Sequence, residues 1–152
     1  MFDRVHWTVE TFDEIDSERF YTILAARVAV FVVEQDCPYQ DLDGLDFKAI
    51  HVTAWSERGD VLAYARLLGP GQRFREPSIG RVLTSRQARG TGLGRALMAR
   101  TLEAASRYFP DWPLRISAQQ YLERFYTDLG FETVRGPYPE DGIPHLEMFR
   151  SL

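Results

Sequence analysis

Ile79-Gly80-Arg81-Val82-Leu83-Thr84, running through the polar bend Ser85 to Ala88 into Arg89-Gly90-Thr91-Gly92-Leu93-Gly94, is the stretch on which the reading of this chain turns. The first six residues form an apolar segment of strand length. Beyond the glycines, Leu93, Leu97, Met98, Thr101, Leu102, Ala105 and Tyr108 recur at three- and four-residue spacing. Arg95, Ala99, Arg100, Glu103, Ser106 and Arg107 fall opposite, so the spacing predicts an amphipathic helix. The first turn of a helix carries N–H groups without intrahelical partners and the positive end of the helix dipole. Glycines at 90, 92 and 94 leave room for a phosphate to approach those groups, and Arg86, Arg89 and Arg95 add full charge around the same mouth. The natural guest is a ligand carrying a pyrophosphate. Two familiar phosphate loops fail: there is no Gly-Lys-Ser/Thr, and arginine at 95 breaks the dinucleotide spacing G-x-G-x-x-G.

Working outward, Leu114 to Ala118 reads as a buried strand. Tyr121 to Leu129 reads as a helix with Leu122, Phe125, Tyr126 and Leu129 inward and Gly130 as its carboxy-terminal cap. Phe131 to Val134 and Leu146 to Phe149 are two last strands around a loop from Gly136 to His145. On the amino-terminal side, His6 to Val9 is a first strand, and Asp16 or Ser17 caps a helix starting at Glu18 with Phe20, Ile23, Leu24, Arg27, Val28 and Phe31 in register. A loop rich in Asp, Pro and Gly follows and ends near Phe47; its length marks it as functional. Ile50 to Trp55 and Val61 to Leu68 form a hairpin around Arg58-Gly59-Asp60. This order predicts an α/β (α+β) fold with hairpin pairing early and crossovers between 79 and 131.

Length and composition set bounds. The 152 residues suit one domain spanning 1–152, and 45% hydrophobic with 26% charged residues is the balance of a soluble globular protein. No apolar run approaches the roughly 20 residues of a membrane span, and Met1-Phe2-Asp3-Arg4 begins no secretory leader. The single cysteine, Cys37, leaves no internal disulfide and fits a cytoplasmic location. A net charge of −4 argues against nucleic acid as a partner. The charge is unevenly spread. Glu34, Asp36, Asp41, Asp43 and Asp46 stand in a stretch without a base, whereas Arg86 to Arg107 holds five arginines and one acid, Glu103. An anionic ligand at one mouth and a cationic one at the other would suit that asymmetry. His51 and His145 are candidate bases. No cluster has metal-ligand spacing, so no metal is expected.

The pattern Arg89-x-x-Gly92-x-Gly94 resembles the acyl-coenzyme A loop of the GCN5-related N-acetyltransferases, the GNAT superfamily. Phe125-Tyr126-x-x-x-Gly130-Phe131 resembles the second motif of that family. The resemblance implies the GNAT fold, a single mixed, mostly antiparallel central sheet flanked by helices. It also implies acetyl-CoA as cosubstrate. Arg89, Gly90, Thr91, Gly92, Leu93 and Gly94 would hold its pyrophosphate, and Val82, Leu83 and Thr84 would pair with the pantetheine arm. Gln119 stands where many members carry asparagine, which leaves that coenzyme contact open. Tyr126 stands where a tyrosine commonly protonates the departing thiolate. Glu34 and His145 are candidates for the base, and Arg66 and Arg81, inside apolar strands, are either substrate-binding or held in ion pairs.

Further out, Val30-Phe31-Val32-Val33-Glu34-Gln35-Asp36-Cys37-Pro38-Tyr39-Gln40-Asp41 and Glu140-Asp141-Gly142-Ile143-Pro144-His145 resemble the ElaA-like branch of that family. The implied activity is transfer of an acetyl group to a small-molecule amine acceptor. Two alternatives stand beside it: a non-catalytic acyl-CoA-binding sensor, and an acyltransferase like the acyl-homoserine-lactone synthases, whose amino-terminal pattern resembles Arg27-x-x-Val30-Phe31 and Arg66-Leu67-Leu68.

Overall fold

Residues 4–152 are described in the computed structural model; residues 1–3, read above as beginning no leader, lie outside them. Strand β1 (His6–Thr11) leads to helix α1 (Ser17–Val28), whose first turn is capped by Asp16 Oδ1 accepting from the Arg19 N–H at 2.8 Å. The helix does not stop at Val28 but widens into a π-helical turn, Ala29–Glu34. Then come β2 (Ile50–Trp55), β3 (Val61–Leu68), β4 (Ser78–Thr84), α2 (Leu93–Tyr108), β5 (Leu114–Gln119), a short α3 (Glu123–Thr127), β6 (Glu132–Glu140) and β7 (Ile143–Arg150).

Strands β1-β2-β3-β4 form one antiparallel sheet and β5-β7-β6 a second. The expected α/β class stands, but the single central sheet opens into two. Strands β4 and β5 touch at their beginnings, where the Arg115 N–H donates to the Pro77 carbonyl at 3.2 Å, and part beyond that point. The cause lies in β4. Arg66 pairs with Gly80 and Tyr64 with Leu83, so two residues of β4 oppose one of β3, and Arg81 takes φ 50°. Such a bulge bends a strand and ends its pairing on the other edge.

Every residue of β2 and β3 is buried, because helices cover both faces. Leu97 and Met98 of α2 pack with Val52, Leu62, Leu67, Ile116 and Met148 on one side. On the other, Ile23 of α1 packs with Tyr64, Trp55 and Leu83, flanked by Phe20 and Phe31.

The carboxy-terminal pair differs from the expected loop between Gly136 and His145. That stretch is a hairpin turned by Asp141 (φ 52°) and Gly142 (φ 77°), with Glu140 paired to Ile143. Two successive positive φ values make the tight turn whose twist suits a hairpin. Proline is tolerated because β6 is an edge strand with shifted register at Arg135 to Tyr138. Gly136 is obligatory, since a Cβ there would lie 2.9 Å from the His145 carbonyl oxygen.

One polar cluster is internal at its centre, with Asp43 at its exposed edge. Arg27 of α1 donates to Asp41 Oδ2 (3.0 Å) and Asp46 Oδ1 (2.7 Å). Arg66 of β3 donates to both carboxylate oxygens of Asp43 (2.8 and 2.9 Å) and to the same Asp46 Oδ1 (3.1 Å). Arg81 of β4 donates to the Asp41 carbonyl (2.9 Å) and approaches Asp41 Oδ1 within 2.7 Å. His51 donates through Nε2 to the Asp46 carbonyl, which leaves Nδ1 to accept from Tyr64 at 2.6 Å. Burial is the largest influence on Asp43 and favours its neutral form. The Arg66 hydrogen bond, the Leu45 N–H and the charges of Arg66 and Arg81 together outweigh it and hold the carboxyl at about 2. Asp46 is lowered against the same opposition by Arg27 and Arg66.

Asp46→Ala is expected to destabilise the fold by about 3–5 kcal/mol in urea denaturation, because it leaves two buried guanidinium groups short of a partner. The pH dependence has a definite sign. Asp43 and Asp46 ionise more readily folded than unfolded, so their contribution is complete above the ordinary carboxyl pKa of about 4. It is lost as the pH falls towards about 2. Stability measured across that window should fall with acidification, and less steeply in Asp43→Asn.

Candidate active site

The divergence of β4 from β5 creates a cavity of about 550 Å³, walled by Ile79–Thr84 on one side and Ile116–Gln119 on the other. One end is built by the glycine loop. Gly90 and Gly92 take φ values of 78° and 82°, a region costly for residues with a Cβ, and Gly92 caps α2. A Cβ at Gly92 would meet nothing within 4 Å, so open space lies over the first turn of the helix. That space and the free N–H groups of α2 fit a pyrophosphate. Leu93 begins the helix, and Thr91 Oγ1 fixes the loop by donating to the Ala88 carbonyl at 2.6 Å. Gly94 and Arg89 reach the cavity itself.

Val82, Leu83 and Thr84 line the wall beyond the β4 bulge, where β4 has parted from β5 and its outer edge faces the cavity. Tyr126 of α3 faces the same space. It is only 6% exposed, and its phenol has no hydrogen-bond partner among the described residues. Burial, with the neighbouring Tyr121 adding to it, raises the phenol above its ordinary pKa, so it carries its proton at neutral pH.

The π-helical turn ends in a strap across the cleft. Glu34 accepts from Arg89 Nη2, while Arg89 Nε donates to the Thr84 carbonyl at 3.3 Å. Gln35 and Gln119 exchange amide hydrogen bonds at 3.3 and 3.4 Å. Cys37 Sγ donates to the Asp141 carbonyl at 3.2 Å. A π-helical turn shifts the facing of the residues after it, and here it aims Glu34 and Gln35 inward.

His145 lies on the wall formed by the β6–β7 hairpin, opposite Gln119 in the register of β5 and β7. The two strand arginines part company. Arg66 is a correction: its guanidinium is held by Asp43 and Asp46 and it is not on the cavity wall, so it forms an internal ion pair and does not bind substrate. Arg81 reaches the wall but is bound by Asp41 and Asp43.

Most of the charge of the 34–46 stretch is paired, with Asp36 making no ion pair among the described residues. Asp41, Asp43 and Asp46 are matched by Arg27, Arg66 and Arg81, and Glu34 by Arg89. His51 is sealed beneath that cluster, and burial lowers its pKa. Among the described residues no group of His, Cys, Asp and Glu is placed to hold a metal ion, and no helix is long and apolar enough to cross a membrane.

Sequence reasoning overlooked Arg73, Ser117 and Tyr138 on the hairpin side. The signal that could have found the hairpin was Asp141-Gly142, a pair that favours two-residue turns, here between Glu140 and Ile143.

Comparison with known proteins agrees with this geometry. The family model for an acetyltransferase (GNAT) domain matches residues 25–152. Protein ElaA of Escherichia coli is 40% identical over 150 residues, covering 97% of each chain. The crystal structure of Escherichia coli ElaA superposes with a TM-score of 0.91 at 39% identity, covering 97% of this chain and 100% of that one. A crystal structure of an acyl-CoA N-acyltransferase from Pseudomonas aeruginosa reaches a TM-score of 0.92 at 44% identity over the same shares. With sequence, fold and cleft in agreement, the chain belongs to the GNAT superfamily of acyltransferases, in its ElaA-like branch.

Proposed function

We propose that residues 1–152 act as one N-acetyltransferase domain that moves an acetyl group from acetyl-CoA to the amine of a small molecule. The observation that carries this reading is the meeting, in one cavity, of the glycine-lined start of α2 with the unpartnered phenol of Tyr126. Arg89, Gly90, Thr91, Gly92, Leu93 and Gly94 hold the pyrophosphate of the cosubstrate. The backbone of Val82, Leu83 and Thr84 pairs with its pantetheine arm and polarises the thioester carbonyl. Gln119 contributes its amide once its exchange with Gln35 is broken. A neutral amine attacks the carbonyl carbon, and Tyr126 gives its proton to the departing thiolate. An unpartnered phenol facing the cavity favours an enzyme over a sensor that only binds acyl-CoA. The proton leaving the amine falls to Glu34 or His145, and the engagement of Glu34 with Arg89 favours His145.

Arg89 is the loop cation nearest the cavity, and in the free protein Glu34 competes for it. Glu34→Gln should therefore tighten acetyl-CoA binding in calorimetry, by up to about fivefold, since partly exposed pairs are worth about 0.2–1 kcal/mol. A lowered turnover with unchanged affinity would instead make Glu34 the base. Tyr126→Phe should keep coenzyme affinity and lower kcat for CoA release with a primary amine by about 10²–10⁴-fold. Wild-type turnover in that variant would reduce Tyr126 to a packing residue beside Phe125 and Phe131.

A further inference from the structure

Gly80 is a glycine that the fold does not ask for. A glycine inside a strand weakens it, since it loses more backbone freedom on folding and has no side chain to pack. Two requirements commonly account for one: a positive φ, or a neighbour too close for a Cβ. Of the eleven glycines, eight have a positive φ, and Gly69 and Gly94 have side-chain atoms within 4 Å of where a Cβ would stand. Gly80 has neither. The bulge of β4 does not need it, because the left-handed residue there is its neighbour Arg81. Apart from its own chain neighbours, a Cβ at Gly80 would meet nothing within 4 Å, and Gly80 lines the cavity. A strand glycine of that kind marks a place where a ligand comes close.

Register gives the side on which that space opens. Gly80 is opposite Arg66 of β3, and residues opposed across a ladder share a face. Arg66 reaches Asp46, as does Arg27 of α1, and Tyr64, two residues earlier in β3, packs with Ile23 of α1. The space over Gly80 therefore opens towards α1. The chain that continues α1 supplies Val30, Phe31, Cys37 and Tyr39 to the wall of the same cavity. The polar atoms of the last two are already engaged, Cys37 Sγ with the Asp141 carbonyl at 3.2 Å and the Tyr39 hydroxyl with Asp41 Oδ1 at 3.1 Å. What this side offers a ligand is apolar surface.

We infer that Gly80 sets the size of the donor's acyl group, and that the site takes a propionyl or butyryl chain in preference to acetyl. This rests on the transferase reading above and deepens it by naming the donor's acyl class. With the pyrophosphate at the start of α2 and the pantetheine arm running back along β4 from Thr84 to Val82, the thioester end comes to Arg81 and Gly80. An acetyl methyl leaves most of the space there empty. Each further methylene buried in it leaves water, which is worth about fourfold in affinity. Arg81 is engaged by Asp41 and Asp43, and Arg73 by Glu140, so neither is a free cation for an acyl chain that ends in a carboxylate. The transfer is otherwise unchanged. The amine nitrogen forms the C–N bond, the C–S bond breaks, and the acyl chain is carried over intact. The amine gives one proton to the base, which passes it to water; the thiolate receives one from Tyr126, which water restores.

The test needs no acceptor. Calorimetry on the full chain and its Gly80→Ala and Gly80→Val variants compares free coenzyme A with acetyl-, propionyl- and butyryl-CoA. In wild type the affinity should rise about fourfold from acetyl to propionyl and about tenfold or more from acetyl to butyryl. Gly80→Val should abolish that rise and bind butyryl-CoA at least about tenfold more weakly than wild type, with free coenzyme A within about twofold. Gly80→Ala should fall between the two. Its thermal midpoint should equal or exceed that of wild type, because its Cβ meets nothing and the unfolded chain loses freedom, so it carries the test even if Gly80→Val fails to fold. Equal affinities for the thioesters in wild type, an undiminished butyryl gain in Gly80→Ala, or a midpoint lowered by several degrees in that variant would overturn the inference while leaving the coenzyme site intact. Failure of wild type to bind free coenzyme A and every thioester would overturn the transferase reading itself.

Discussion

A single carboxylate oxygen, Asp46 Oδ1, accepts from Arg27 of α1 and from Arg66 of β3, and the placement of the active cleft depends on that junction. Buried charges of this kind are poor sources of net stability, because their desolvation offsets most of their attraction. What they supply is position. The loop between α1 and β2 leaves Leu42 and Phe47 exposed, and it is held through Asp41, Asp43 and Asp46 on three elements that are far apart in sequence. The third tether is Arg81, the residue that sits in the bulge of β4 with a left-handed backbone. The cluster therefore stabilises a conformation that an arginine would not adopt unaided, and the bulge in turn parts β4 from β5.

Geometry and electrostatics are coupled in this arrangement. Because the cluster is neutral as a whole, Asp41, Asp43 and Asp46 bring little net charge to the cleft. The strap from Glu34 to Cys37 crosses from the glycine loop to the hairpin, touching the loop, the end of β5 and the turn of β6–β7 in succession. Its contacts are side-chain hydrogen bonds and one ion pair, not strand pairing, so they exchange for ligand contacts without unfolding any element.

The parts of this structure that were legible in the sequence are those whose signals are local. Helix α2 and its glycine loop were plain because periodicity and positive-φ glycines act within a few residues. The capping of α1 by Asp16, the β2–β3 hairpin and the cap at Gly130 were plain for the same reason. Partner choice at a distance was not legible. Nothing in the spacing of Arg27, Arg66 and Arg81 says which aspartates they meet, so Arg66 was open to a substrate role that its burial denies. The division of the sheet was hidden too, since an arginine in a left-handed conformation leaves no mark in composition. The β6–β7 hairpin was masked by Gly136, Pro137 and Pro139, which signal a loop everywhere except on an edge strand. With it went Tyr138 and Ser117, whose meeting requires knowledge of strand register.

The parting of β4 from β5 has a consequence for how such proteins diversify. The β4 wall proposed to meet the coenzyme belongs to one sheet and the hairpin wall proposed to meet the acceptor to the other, with no ladder joining them along the cleft. Substitutions in the β6–β7 hairpin therefore reshape the acceptor wall without disturbing the β4–α2 unit, whose geometry is fixed by its own bulge, glycines and buried ion cluster. Lineages can inherit the donor half intact and drift in the other, so close relatives sharing the same coenzyme chemistry are free to differ in the molecules they modify.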